Sequence, residues 1–295
     1  FRRVLFRSGT FDTDIKYIAK YPGSFGNSLR VSVCDSANAF GQTLNLAPTA
    51  NVTGTITVSV GSSSVLVSVS NTATGNLDIE ANTVATNILS SLSVNDLIKV
   101  GNADVGIQYL KIMSVPGSLS SNSSAKSFTI GVEDPLALHT NISQNSFDRY
   151  WEFYNYVNGA PGLSNFVLRN GNSAAFDELH VVVVDDGGVI SGTQGSILEV
   201  FKGVSRATDA KNDDNTVNYY KEVINSTSNY LWWLDHASDL TGAGSYASEN
   251  FTTVDTPYEK TLAGGADGAS VDEGDIDTGF QVFRSEEHTS ELQSH

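Results

Sequence analysis

The sequence predicts an α+β protein, in which a mixed α/β body is interrupted by an inserted antiparallel β domain of barrel-like form. Residues 46–148 are rich in Ser, Thr, Asn and Val and contain short alternating runs separated by Gly and Asn turns, a pattern typical of antiparallel strands. The flanking segments, 9–45 and 149–283, instead combine strand-like runs with helical spacing. We therefore expect the two flanking segments to pack together as one body.

The sequence of the first body segment, 9–45, predicts a short helix followed by a strand. Thr13 or Asp14 is a suitable helix cap, and the stretch YPGSFGN would end that helix before a strand at 29–33. In this strand Leu29, Val31 and Val33 alternate with polar residues. The alternation predicts one buried face.

Five runs predict the strands of the inserted domain: GTITVSV, SVLVSVS, DLIKVG, QYLKIMSV and SFTIGVE. The third and fourth runs flank a glycine-containing turn and predict a hairpin. One helix is expected at 77–92, where Ile79, Val84 and Ile88 have loose helical spacing.

In the second body segment, the nearly continuous apolar run at 179–184 predicts a strand covered on both faces. The residues DDGG at 185–188 supply a turn, and the returning strand is expected to start at Val189. The run SILEVFKGVS that follows fits a helix or a strand. The aromatic stretch RYWEFYNYV, at 149–157, is interpreted as a helix end packed in the core.

A second helix is predicted in the stretch NDDNTVNYYKEVIN. Asp214 or Asn215 can cap it, and Val217, Tyr220 and Ile224 would share one face. The run YLWWL then predicts a buried strand.

The composition excludes several classes of partner. The formal net charge is −16, so nucleic acid and anionic membrane surfaces are not expected to bind. The single Cys34 excludes an intramolecular disulfide framework and a cysteine-based zinc site, and it suits folding in a reducing cytoplasm. No apolar run approaches the roughly 20 residues that span a bilayer.

No residue pattern predicts an active site. Asp235 and His236 suggest a hydrolase dyad with Ser238 nearby, but adjacent side chains on a strand point to opposite faces, and the sequence has no GxSxG motif. His180 lies in a valine-rich strand and is interpreted as a hydrogen-bonded structural histidine. His139 has no partner at metal-ligand spacing. We therefore expect no catalytic residues and no enzyme activity.

No metal or cofactor is predicted either. One acidic cluster has lysine at the third loop position and lacks glycine at the sixth, so it fails the EF-hand pattern; its members are Asp209, Asp213, Asp214 and Glu222. The glycine-rich stretch GGADGASVDEGDID is either a calcium loop or, as we favour, a solvated acidic loop; its carboxylates are Asp267, Asp272, Glu273, Asp275 and Asp277. The stretch LAGGADGAS lacks the lysine of a phosphate-binding loop.

The two ends of the chain are related to each other. With one choice of codons for 284–291, the reverse complement translates as FRRVLFRS, the sequence of residues 1–8. Both ends resemble the translated adapter of a short-read sequencing library. We expect 1–8 and 284–295 to be adapter scars that pack against nothing specific, and the natural protein to extend beyond both.

Three segments, in this order, carry a resemblance to a known family. They are AKYPGSFGNSLRVSV, then the long stretch that begins DELHVVVVDDGGVISGTQGSILEVF and ends NYLWW, then LAGGADGAS. The chain resembles the tail sheath protein of contractile-tailed bacteriophages, especially that of marine T-even-like phages. The likeness covers 9–36 and about 149–272, and it leaves 46–148 unmatched.

The resemblance implies a structural role. Sheath subunits polymerise with other copies around a tail tube, contact baseplate and tail terminator proteins, and contract to drive the tube through the host envelope. It implies assembly in the bacterial cytoplasm, a final location in the virion, and an outward position for the inserted domain. In this family terminal arms lend strands to neighbours and a C-terminal domain grips the tube, so we expect these parts to lie outside this chain.

Two other classes of protein stay open. A secreted or surface β-rich adhesin would account for the richness in Ser, Thr and Asn. A hydrolase would require a pocket that converges on Asp235 and His236.

Overall fold

The computed structural model describes residues 16–21, 23–72, 78–121, 125–235, 244–245, 250–267 and 274. Its helices are α1 (Ala37–Phe40), α2 (Asp78–Ser90), α3 (Asn165–Asn170) and α4 (Tyr220–Thr227). Its first strands, up to α2, are β1 (Tyr17–Ala19), β2 (Leu29–Cys34), β3 (Gly41–Asn45), β4 (Val52–Val58) and β5 (Ser64–Asn71). The next six are β6 (Leu97–Asn102), β7 (Gly106–Ser114), β8 (Ser120–Ser121), β9 (Lys126–Val132), β10 (Ile142–Gln144) and β11 (Ser146–Tyr150). The last four are β12 (Glu178–Asp185), β13 (Ser196–Ser205), β14 (Leu231–Trp233) and β15 (Tyr258–Thr261).

The predicted α+β class is confirmed: helices accompany large antiparallel sheets. The body contains a four-stranded sheet in the order β13-β12-β2-β15 and a two-stranded sheet of β1 and β14. Both sheets therefore join a strand from the start of the chain to strands that follow residue 177. The flanking segments do pack together, as the sequence predicts.

The region between them forms a nine-stranded antiparallel sheet. Its strand order is β10-β4-β5-β9-β7-β6-β11-β3, with β8 paired to β9. The sheet includes Gly41–Asn45 and Ser146–Tyr150, which lie partly or wholly outside the predicted 46–148. Its inward side chains and α2 enclose one apolar core, which includes Ile56, Val67 and Phe128.

The five predicted strands, the hairpin and the helix of this region are all present. No closed barrel is found among the described residues. Strand β10 pairs with β4, whereas β11, which follows it in the chain, pairs with β3 and β6. The order of hydrogen-bonded strands therefore begins at β10 and ends at β3.

The helix predicted near the start of the chain is wrong where the structure describes it, and its proposed caps Thr13 and Asp14 lie outside the described residues. Tyr17–Ala19 is a strand because it pairs with Leu231–Trp233, and Tyr17 is buried beside that strand. The prediction of one buried face for 29–33 is also wrong. All six residues of β2 are buried, because β12 and β15 flank the strand and both of its faces are covered.

Three local predictions for the second body segment need correction. The chain does not return at Val189; a loop continues to Gly195 before β13 begins at Ser196. The second helix begins at Tyr220, because Asn215 has a φ of 67° and the Asp214 carboxylate accepts from Thr216 within a tight turn. The stretch RYWEFYNYV ends β11 and enters a 3₁₀ turn rather than a helix end.

The aromatic side chains of that stretch do lie in the core as predicted. Trp151 and Phe153 are buried against β12, and Trp151 Nε1 donates a 2.8 Å hydrogen bond to Ser32 Oγ. The run SILEVFKGVS, which fitted either helix or strand, is β13.

Candidate assembly surface

Strand β13 forms one edge of the four-stranded body sheet. It pairs with β12 on its inner side, and no other strand of the described ranges pairs with its outer side. Such an edge presents backbone N–H and C=O groups that can bond an additional strand. The edge is covered only near its end, where Asn218 O accepts from Ser205 N and Asn218 Nδ2 donates to Gly203 O.

The side chains of β13 are unusually apolar for an edge strand. Ile197 and Val200 pack on one side of the sheet, while Leu198 and Phe201 pack on the other, and all four remain half-buried. Native proteins usually protect edges with short strands, charges or proline. This strand has ten residues, of which only Glu199 and Lys202 are charged, so a long and mostly apolar edge remains open to a partner.

A groove of about 920 Å³ runs between β13 and α4. Phe201 and Val204 form its strand side, and Val223 and Asn225 form its helix side. A peptide strand added to an exposed edge bonds through its backbone and places alternate side chains in the adjoining pockets. The edge and the groove together therefore have the form of a strand-binding surface.

The same surface carries charges of both signs. Lys202, Lys221 and Glu222 line the groove. An adjacent cavity of about 470 Å³ is lined by Lys202 and Lys211 and by the carboxylates of Glu178, Asp213 and Asp214. Within the described part of the chain, these three ammonium groups have no carboxylate at ion-pair distance; Lys221 Nζ lies 4.8 Å from the ring centroid of Trp233.

One buried carboxylate organises the loop at the start of β13. Asp185 ends β12, and its carboxylate accepts from Ile190 N (2.9 Å), from Ser191 N (2.6 Å) and from the hydroxyls of Ser191 and Ser28. Burial alone would raise the pKa of Asp185, but these hydrogen bonds lower it to about 2. Asp185 is therefore ionised at neutral pH and fixes the loop 186–195.

A cluster of charges joins the body sheet to the nine-stranded sheet. Arg30 of β2 forms ion pairs with Glu152 (2.8 Å), Asp186 (3.0 Å) and Glu259 (2.9 Å). Lys111 Nζ of β7 lies 2.7 Å from Glu152 on the other side. Burial opposes the charge of Arg30, but Glu259 and Glu152 outweigh it and raise its pKa. We call these five residues the Arg30 cluster.

Two further buried arginines hold the chain segment before β15. Arg149 donates to Asp255 O (2.7 Å) and Arg206 donates to Thr252 O (2.7 Å). Each has a buried aspartate nearby, since Arg149 lies 3.5 Å from Asp96 and Arg206 lies 3.7 Å from Asp35.

Burial affects both aspartates in the same direction. It raises the pKa of Asp96 to about 8 despite Arg149, and that of Asp35 to about 6 despite Arg206. The segment that Arg149 and Arg206 hold leads directly into β15. The hydrogen bonds of these two arginines therefore fix the edge of the body sheet opposite to β13.

Of the three hydrolase candidates, the structure describes only Asp235. Asp235 lies 4.0 Å from Lys16 and is exposed, whereas His236 and Ser238 lie outside the described residues. His139 is exposed. His180 is buried, with both ring nitrogens in hydrogen bonds: Nδ1 accepts from Gly203 N (2.9 Å), so Nε2 is the atom that donates to Gly159 O (3.0 Å).

The acidic candidates have separate structural contacts where they are described. Asp213 pairs with Arg169 at 2.8 Å, and Asp267 accepts from Ser24 N at 2.8 Å. Among the described residues, no three or more His, Cys, Asp or Glu side chains are grouped so that they could hold a metal ion. Four members of the predicted acidic loop lie outside the described residues: Asp272, Glu273, Asp275 and Asp277.

Sequence reasoning did not find the β13 edge or the Arg30 cluster. The β13 edge could have been recognised from Lys202 within a strand-like run, because natural edge strands often carry lysine. For the cluster, the only local signal was a polar Arg30 in an apolar strand.

Comparison of the chain with protein-family models, with curated proteins and with solved structures found no match. No helix in the described ranges is long and apolar enough to cross a membrane.

Proposed function

We propose that this chain is a structural subunit of a contractile phage tail sheath, which polymerises around the tail tube and contracts to drive it through the host envelope. It assembles in the bacterial cytoplasm and ends in the virion. Its partners are other copies of itself, the tube protein, and the baseplate and terminator proteins. The role requires no catalytic residue, cofactor or nucleic acid contact.

One observation carries the proposal. The segments that bear the family resemblance, 9–36 and 149–272, supply all strands of the four-stranded body sheet, and that sheet has a long apolar edge at β13. The nine-stranded sheet comes almost entirely from the unmatched part of the sequence. This division agrees with a polymerising body that carries a variable domain.

The groove beside β13 supports a mechanical role. Strand addition joins subunits through many backbone hydrogen bonds, and a subunit held by such a strand can change its side-to-side contacts without separating. A sheath needs this combination, because each subunit moves from one set of neighbours to another during contraction.

The gene neighbourhood tests this proposal most cheaply. Long-read sequencing of the source DNA should place a tail tube gene or baseplate genes beside the complete reading frame. A secretory signal peptide at the true start of the gene, without tail genes nearby, would contradict the sheath and support the adhesin.

A further inference from the structure

The chain contains two Asn-Gly pairs, Asn158-Gly159 and Asn170-Gly171, and both are exposed. In such a pair the backbone nitrogen of the glycine can attack the amide carbon of the asparagine, because the two atoms close a small ring and glycine has no side chain to obstruct it. The two pairs have the same residues. Any difference in their reactivity therefore depends on the structure around them.

The structure blocks the pair at Asn170. Gly171 directly follows α3 with a φ of 90°, and its backbone N–H donates to Val167 O (3.0 Å). The Asn170 side chain is held as well, since its Nδ2 donates to Phe166 O (2.8 Å). Both hydrogen bonds must break before the glycine nitrogen can reach the amide carbon.

The pair at Asn158 has no such contacts. It lies in the loop between the 3₁₀ turn Tyr154–Tyr156 and α3. Within the described residues, neither the Asn158 side chain nor Gly159 N has a hydrogen-bond partner. Apart from its chain neighbours, no described heavy atom lies within 4 Å of the place that a Cβ on Gly159 would occupy. The glycine nitrogen is therefore open to the amide carbon beside it.

The residues after Asn158 anchor this loop to the body sheet. Gly159 O accepts from His180 Nε2 of β12 (3.0 Å). Gly162 N donates to Glu178 Oε2 (3.2 Å), and Gly162 O accepts from Glu178 N (3.1 Å). The position of Gly159 O against His180 therefore depends on the length of the backbone that leads to it from Asn158.

We propose that Asn158 is a site of spontaneous deamidation, which converts it to aspartate or isoaspartate and loosens the loop 158–162 from β12. Gly159 N gives its proton to water or hydroxide and attacks Cγ of Asn158. The Cγ–Nδ2 bond breaks, Nδ2 takes a proton from water, and one ammonia leaves. One water then opens the resulting succinimide at either carbonyl, so water is the only co-reactant. Isoaspartate adds Cβ to the backbone and displaces Gly159 O from His180.

Ageing of the purified full chain at mildly alkaline pH, followed by tryptic digestion and mass spectrometry, tests the proposal. Cleavage after Arg169 places Asn158 and Asn170 in different peptides. The first peptide should gain about 1 Da, the difference between one water and one ammonia, and fragmentation should locate the gain at Asn158. It should react at least about tenfold faster than Asn170, because two hydrogen bonds oppose the reaction there. Equal rates in the folded protein, or no reaction at Asn158, would overturn the proposal.

Unfolding provides the first control. In concentrated urea the hydrogen bonds around Asn170 are lost, so the two sites should react at similar rates. A preference for Asn158 that persists in urea would show that the local sequence, and not the fold, selects this site.

Gly159→Ala provides the second control. Gly159 does not have a positive φ and its Cβ would meet open space, so the variant should keep the fold. The added methyl group obstructs the backbone nitrogen, and the aged variant should therefore lose most of the mass gain at Asn158. A reaction as fast as that of the wild type would refute attack by Gly159 N.

Amide hydrogen exchange measures the effect on the loop. Exchange of the Glu178 N–H, which donates to Gly162 O, should rise in the aged wild type and stay unchanged in aged Gly159→Ala. Equal protection of Glu178 in fresh and fully deamidated wild type would refute the loosening of the loop.

Discussion

Arg30 Nη2 lies 2.8 Å from Glu152 Oε2, and this ion pair joins the central strand of the body sheet to the chain that leaves the nine-stranded sheet. Arg30 is 4% exposed and Glu152 is 15% exposed, so solvent screens the pair little. Glu259 of β15 contacts the same guanidinium. The arginine therefore neutralises carboxylates from two different parts of the fold.

Replacement of Arg30 by Met should lower the free energy of unfolding by about 3 kcal/mol, because it leaves buried carboxylates without a counter-charge. Urea denaturation measures the change. Arg169→Met is the matched control: its pair with Asp213 is as short, at 2.8 Å, but both side chains are exposed. The free energy of unfolding of the control should fall by less than about 1 kcal/mol. Equal losses in the two variants would show that burial does not determine how much these ion pairs stabilise the protein.

Asp96 should make stability depend on pH. Burial raises its folded-state pKa to about 8, above the unfolded value of about 3.9. The folded state therefore binds the Asp96 proton more tightly than the unfolded state does. The resulting stabilisation of the folded state is complete below about pH 4 and is lost as the pH rises towards 8.

The Asp96→Asn variant should therefore gain stability relative to the wild type between pH 5 and 8. Thermal unfolding of both proteins across this range measures the difference. A difference that stays constant with pH would contradict the raised pKa. Asp134→Asn, which alters an exposed loop carboxylate, serves as the control for general charge effects.

Removal of the Asp185 carboxylate should release the loop before β13. Asp185→Ala leaves the buried Ser28 hydroxyl and the amides of Ile190 and Ser191 without their acceptor, which should cost about 2–3 kcal/mol. Amide hydrogen exchange should rise in 186–195 more than in β2. Unchanged protection of the loop would show that Asp185 does not hold it.

The nine-stranded sheet should fold without the body. Its core draws its buried residues from Leu44 to Phe147, so a fragment of residues 41–150 retains all of its strands. We expect a cooperative unfolding transition and dispersed amide signals in NMR spectra. A fragment of 46–148 lacks β3 and the end of β11, and should be less stable. A molten product from 41–150 would mean that the core depends on contacts with the body.

The sequence predicted the elements whose pattern is local. The strands of the inserted region contain short alternating runs, and the run at 179–184 is apolar apart from His180, so each could be placed without knowledge of its neighbours. The error at Tyr17–Ala19 has a non-local cause, since three residues have no periodicity and their conformation is fixed by pairing with Leu231–Trp233.

The candidate surface was beyond sequence reasoning for a similar reason. Whether β13 is an edge depends on the order of the strands in the sheet, which joins residues far apart in the chain. In the sequence, Arg30 indicated that one face of the strand at 29–33 is polar and exposed. In the structure Glu259 and Glu152 contact Arg30 and cover that face. The prediction of no catalytic site and no metal stays untested.

Electron microscopy of the complete protein, expressed from its full gene together with the neighbouring tube protein, tests the central proposal most directly. We expect hollow tubes or stacked rings around the tube protein. Val200→Pro, which interrupts the β13 edge, should reduce them, whereas Ser118→Pro in an exposed loop of the nine-stranded sheet should not. A complete protein that remains monomeric at high concentration, even with preformed tubes as template, would contradict the assignment to a tail sheath.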